Sequence, residues 1–216
     1  MIAAAVMLLL FSLDKNISRA EGAVLFFGYF LYLWYLWLGE TKNIKNKKIK
    51  DGKHIRLNGN DNKEIFVDII YIIAGLFIIV LSAEFILRVA EFFVIKYGVG
   101  GSLIGILVIG IATALPELTT AVTAILRGAS SISIGTLVGS NITNPMFALG
   151  LGAMISSYQV PKPIIVFDLP VKIITAIIIM AFLWNRSMLT KREAFMMITM
   201  YIVYVLIRMK YFAIDT

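Results

Sequence analysis

Hydrophobic and polar positions segregate along this chain in long blocks. Apolar runs at 1–13, 22–38, 104–126, 169–184 and 194–207 are separated by short polar turns and one long polar segment, 39–63. Residues 64–97 read as one long helix with an apolar middle at 69–81. Blocks this long are helical, and roughly 20 apolar residues rising ~1.5 Å each span a hydrocarbon core of ~30 Å. The first run reaches only about 20 Å by the same rise. It lacks the basic start and small-residue cleavage site of a signal peptide, so it reads as the tail of a helix that begins earlier. Tyr and Trp crowd the end of 22–38, as at a membrane interface. Asp168 ahead of Leu169 and Pro170 predicts a helix start. The tail 208–216 is expected outside.

The pattern predicts an all-α polytopic transmembrane helical bundle. Composition agrees: of 216 residues, 60% are hydrophobic and 15% charged, which excludes an ordinary soluble domain. There is room for about six or seven spans. Without cysteine, and with a single histidine, His54, in the polar segment, thiolate sites, His-ligated zinc and Ser-His triads are excluded. An intramembrane protease needs an in-span histidine or two in-span aspartates; neither is evident, so no enzyme is expected. The net charge of +7 is concentrated in loops, above all Lys42, Lys45, Lys47, Lys48, Lys50, Lys53 and Arg56. This makes 39–63 a flexible cytoplasmic linker by the positive-inside rule. It lacks interleaved aromatic residues, so nucleic acid is not expected as a partner. Alternation places Met1, the linker, Arg127 and Arg186 inside, and Asp14, Tyr97 and Pro161 outside. Three units follow: 1–38, 39–63 and 64–216.

The candidate chemistry lies in 101–156. Glu117 stands deep in its first arm, and Ser140, Asn141, Thr143 and Asn144 in its second. A carboxylate in a span is expensive and therefore reads as functional. Thr113 and Glu117 are i, i+4, as are Ser140 and Asn144, so each pair shares a helix face. Pro116 and Pro145 predict interruptions that free the carbonyls of Ala112 and Asn141. Gly105, Gly110, Gly135 and Gly139 predict close backbone packing. Carboxylate, hydroxyl, amide and carbonyl oxygens together suit hard cations such as Na⁺ and Ca²⁺. Elsewhere, Glu84, Arg88 and Glu91 are expected to pair, with Arg88 between the two carboxylates. Asn141-Ile-Thr143 matches a glycosylation sequon but lies within a span, where that reading fails.

Ala112-Thr113-Ala114-Leu115-Pro116-Glu117 and Gly139-Ser140-Asn141-Ile142-Thr143-Asn144 resemble the paired motifs of the α-repeat in the cation/calcium exchanger superfamily, which includes sodium/calcium exchangers. The resemblance extends over about 64 to the C-terminus, and the span and basic linker before it look like the join between the family's two halves. It implies a transporter of two inverted repeats that exchanges Ca²⁺ for Na⁺, or for H⁺ in some branches. It implies Glu117 as ligand, assisted by Thr113, Ser140, Asn144 and the backbone oxygen near Gly110, with no cofactor. Ala114 departs from the usual serine and removes one hydroxyl, and Asn144 is neutral where some relatives carry Asp. Only one motif pair is present. A single carboxylate offsets poorly the desolvation of a divalent ion, so the first-repeat half is expected as a partner, upstream or on a second chain. The linker's charge bias argues against an antiparallel homodimer. The alternative is a non-transporting membrane subunit or an inactive half.

Overall fold

The computed structural model describes residues 1–51, 62–185 and 189–215. Helix α1 (Ile2–Phe11) leads into a turn and then α2 (Arg19–Asp51). Ser18 caps α2: its hydroxyl accepts from the Glu21 amide at 3.3 Å, and the Glu21 carboxylate accepts from the Ser18 amide at 2.8 Å, a reciprocal capping box. Helix α3 (Asn62–Tyr97) follows. The next rod is α4 (Gly101–Ile104), a π turn at Gly105–Ile109 and α5 (Gly110–Leu126). Its neighbour is α6 (Ser130–Thr143), a π turn at Asn144–Ala148 and α7 (Leu149–Ile155). A third π turn, Ile164–Asp168, opens α8 (Leu169–Asn185), and α9 (Lys191–Tyr211) closes the bundle.

Among the described residues, five stretches are long and apolar enough to cross a membrane: Arg19–Gly39, Ile69–Tyr97, Gly101–Leu126, Ile164–Trp184 and Lys191–Tyr211. Phe30, Trp34, Ile72, Phe85, Leu118 and Ile198 point outward from them, which suits side chains whose solvent is lipid. The chain is an all-α, multi-pass integral membrane protein, as the block pattern predicts.

The core lies where α1, α2, α7 and α8 meet, around Leu8, Leu25, Ala153 and Leu169. Gly22 and Gly150 bring α2 and α7 together: a Cβ on Gly22 would meet the Ala153 Cβ at 2.6 Å, and one on Gly150 would meet the Phe26 amide nitrogen at 2.9 Å. At one end, β1 (Asn16–Ile17) pairs antiparallel with β2 (Tyr158–Gln159). The Gly100 amide near the end of α3 donates to the Ala213 carbonyl at 2.7 Å. Asp14 and Asp215 line a common cavity there with Pro161. That end thus gathers the Asp14 turn, the Pro161 loop and the tail, segments that alternation assigns to one side.

Several expectations are corrected. Helix α2 continues through Gly39 to Asp51, and Asn62 and Lys63 already belong to α3, so 39–51 and 62–63 are helical where a flexible chain is expected. Lys53, His54 and Arg56 of that segment, and Arg186, lie outside the described residues. Helix α5 runs unbroken across Pro116. The rod absorbs its irregularity about two to three turns earlier, in a π turn, while Pro145 sits inside the second π turn; such wide turns recur at functional sites. The regular α-helix begins at Leu169 as expected, but Asp168 does not open the helical path: helical residues start at Lys162 and Asp168 ends the π turn Ile164–Asp168. Gly105, Gly135 and Gly139 face open space, with nothing within 4 Å of an added Cβ, so the close approach falls at Gly22 and Gly150 instead. Arg88 pairs with Glu84 at 2.6 Å, and among the described residues Glu91 makes no ion pair.

Arg208, expected in the outer tail, lies in α9 and is 0% exposed. Its Nε donates to both Asp168 oxygens at 3.2 Å, and Tyr204 donates to the same carboxylate at 2.8 Å. Its Nη2 donates to the Ser102 hydroxyl, which in turn donates to Asp215. Asp215 also accepts from the Ser102 amide at 2.9 Å. This chain of contacts ties the start of α4 to α8 and α9, and so fixes the rod that carries Glu117.

Candidate functional site

Five sequence-predicted residues, Gly110, Thr113, Glu117, Ser140 and Asn144, line one cavity of about 650 Å³ between α5 and α6. The helical repeat explains why: Thr113 and Glu117 are one turn apart on α5, and Ser140 and Asn144 one turn apart where α6 enters its π turn. Ala114 adds a methyl to the wall where a serine would add an oxygen. Asn141 also lines the cavity, though the sequence motif left it outside the ligand set.

The hydrogen bonds fix which atoms face the space. The Thr113 hydroxyl donates to the carbonyls of Ile109 and Gly110 at 2.9 and 3.1 Å. The Ser140 hydroxyl donates to the Leu137 carbonyl at 3.3 Å, and the Asn141 amide donates to the same oxygen at 2.9 Å. A hydroxyl has one proton, and these two are committed to backbone. What remains on Thr113 and Ser140 is lone pairs, and on Asn141 the amide oxygen and one N–H. Ile109 ends the π turn and Gly110 follows it, so the Thr113 hydroxyl bridges the place where regular helix pairing is disturbed.

Glu117 is half-buried, and its Oε2 is buried with no hydrogen-bond partner among the described residues. A carboxylate oxygen shut away from water and left unsatisfied is costly. A cation in the cavity would satisfy it. Among the described residues no cluster of three or more His, Cys, Asp or Glu exists, so side-chain carboxylate alone does not build a full divalent cage here.

Sequence reasoning missed Lys172. It lies on α8 within a membrane-crossing stretch, and it lines the Glu117 cavity together with Tyr201 of α9. The signal was present: a charge inside the run 169–184 merits the attention given to Glu117. A second cavity of about 600 Å³ shares Gly110, Asn141, Lys172 and Tyr201 with the first and reaches Asp168 and Tyr204.

Comparison with known proteins identifies the family. The family described as sodium/calcium exchanger protein matches residues 67–210. The chain is 29% identical over 152 residues to the sodium/calcium exchanger MaX1 of Methanosarcina acetivorans, covering 70% of this chain and 42% of that protein. It is 27% identical over 157 residues to the putative antiporter CaxA of Alkalimonas amylolytica, covering 68% and 46%. It is 28% identical over 117 residues to the inner membrane protein YrbG of Escherichia coli, covering 54% and 36%. The chain thus spans less than half the length of these curated relatives. No solved structure matches it. With a motif pair that lines one cavity and a family match across that cavity, the chain belongs to the sodium/calcium exchanger family.

Proposed function

We propose that this chain forms one half of a cation antiporter that exchanges Ca²⁺ for Na⁺, or for H⁺, by alternating access. The observation that carries the reading is the unsatisfied, buried Oε2 of Glu117 in a cavity where the Thr113 and Ser140 hydroxyls keep free lone pairs. Glu117 is the anionic ligand. Thr113, Ser140 and Asn144 supply neutral oxygens, and the backbone near Gly110 supplies another. Ca²⁺ and its counter-ion compete for the same oxygens, so their occupancy is mutually exclusive and the two fluxes are coupled. The names of the relatives, an exchanger and a putative antiporter, support the same reaction class.

A divalent ion needs more negative charge than Glu117 alone provides. The companion is a first-repeat half, in the same polypeptide or a second one, packed against the open side of the Glu117 cavity. The lysine-rich end of α2 lies on the cytoplasmic side. The test is Glu117→Gln in the assembled transporter, reconstituted in liposomes. Calcium flux should vanish while insertion and size are retained, and near-normal flux would defeat the assignment.

A further inference from the structure

Three ionic side chains border the two joined cavities: Glu117, Asp168 and Lys172. Asp168 is already committed to Arg208 and Tyr204. Among the described residues Lys172 has no carboxylate within 4.0 Å, and Glu117 Oε2 has no hydrogen-bond partner. An anion and a cation therefore face the same space without touching. Lys172 is not a residue near the water interface. Eight residues into the stretch that starts at Ile164, it lies about 12 Å along the helix axis, well toward the middle of a ~30 Å core. A charge kept there unpaired is expensive.

The residue type is informative. Arginine offers a rigid planar fork, whereas lysine carries a compact charge on a flexible four-carbon stem. An ammonium also resembles a monovalent metal ion in charge and in its demand for oxygen lone pairs. The lone pairs of Thr113 and Ser140 and the Asn141 amide oxygen suit it as well as they suit a metal.

We infer that Lys172 is a tethered cation of the transport site. Its ammonium settles on the oxygens around Glu117 when no ion is bound, replaces one monovalent counter-ion on the return step, and is displaced when calcium loads. The inference rests on the antiport reading above and adds a specific consequence. The cycle moves one fewer counter-ion than the oxygen set would otherwise hold. Lys172 also repels calcium, and because that energy scales with ionic charge, a divalent ion feels twice what a monovalent ion feels at the same distance.

The test uses the chain in the assembly in which it is expressed, purified and reconstituted in liposomes. Radiolabelled calcium binding is measured without sodium, and calcium efflux is measured against external sodium. Lys172→Gln should tighten calcium binding roughly tenfold or more, and its sodium dependence should steepen by one further ion per cycle. Lys172→Arg keeps the charge that repels calcium, so calcium affinity should move less than in Lys172→Gln. Unchanged affinity and slope in Lys172→Gln would overturn the inference. A second measurement needs no variant at this position: in the wild-type protein, calcium should raise the rate at which a small amine-reactive reagent acylates Lys172. Calcium binding that leaves this rate unchanged would equally overturn it. The two readings fail separately: calcium flux surviving Glu117→Gln removes the antiport assignment, whereas flux lost there with no effect at Lys172 removes only the tethered cation.

Discussion

The guanidinium of Arg208 grips both oxygens of Asp168 at 3.2 Å, joining α9 to α8 one helical turn before Lys172. The Arg208 side chain is fully buried and that of Asp168 is 9% exposed. Removing Arg208 strands the Asp168 charge in a low-dielectric interior, and removing Asp168 leaves Arg208, among the described residues, with only the more distant carboxylate of Asp215, at 4.0 Å.

Arg208→Leu or Asp168→Asn should therefore cost on the order of 3–5 kcal/mol, whereas replacing both by apolar residues should recover much of that loss. Thermal unfolding in detergent checks this. Single variants that melt like the wild type would mean that the pair is solvated.

The contact between α2 and α7 gives a second prediction. Gly150→Ala places a methyl 2.9 Å from the Phe26 amide nitrogen and 3.0 Å from the Gly22 carbonyl oxygen, both backbone atoms that cannot rotate away. Overpacking of this kind costs roughly 1–3 kcal/mol. Gly135→Ala, with open space around it, should cost far less. Equal melting temperatures for the two variants would show that α2 and α7 do not pack this closely.

Much of this arrangement was legible in the chain itself. The block pattern gave the helices because lipid demands long apolar runs and satisfied backbone. The i, i+4 spacings of Thr113 with Glu117 and Ser140 with Asn144 put four of the site's side chains on two facing stripes. Other features depend on partners far apart in sequence. Arg208 looks like a tail cation until Asp168, on a different helix, is brought beside it. Pro116 looks like a break, but the helix runs through it, with the irregularity at Gly105–Ile109. Gly22 and Gly150 carry no local mark that distinguishes them from Gly135 or Gly139. Lys172 could have been read from hydropathy alone, by asking why an apolar span tolerates a charge.

The start of α9 provides a local test. Thr190 accepts from the Glu193 amide at 3.3 Å and the Glu193 carboxylate accepts from the Thr190 amide at 2.6 Å, a complete capping box. Thr190→Ala should cost about 1 kcal/mol and leave cation affinity unchanged, because Thr190 lines neither cavity. A melting temperature that does not move would mean that the end of the helix frays regardless of its cap.

Thr113 separates a ligand from a mere helix residue. Thr113 and Thr119 make the same backbone contact: each hydroxyl donates four residues back, to Ile109 and Leu115 respectively, at 2.9 Å. Only Thr113 lines the Glu117 cavity. If its oxygen lone pairs contact the ion, Thr113→Val should lower cation affinity by at least about tenfold, since an interaction with a charged partner contributes about 1.5–3 kcal/mol. Thr113→Ser keeps the hydroxyl and should bind as the wild type does. Thr119→Val loses an equivalent backbone hydrogen bond and should not change affinity. Calcium titrations of the three variants in the assembled protein decide the matter. If Thr113→Val and Thr119→Val weaken binding equally, the effect belongs to the helix rather than to the ion, and Thr113 is not a ligand.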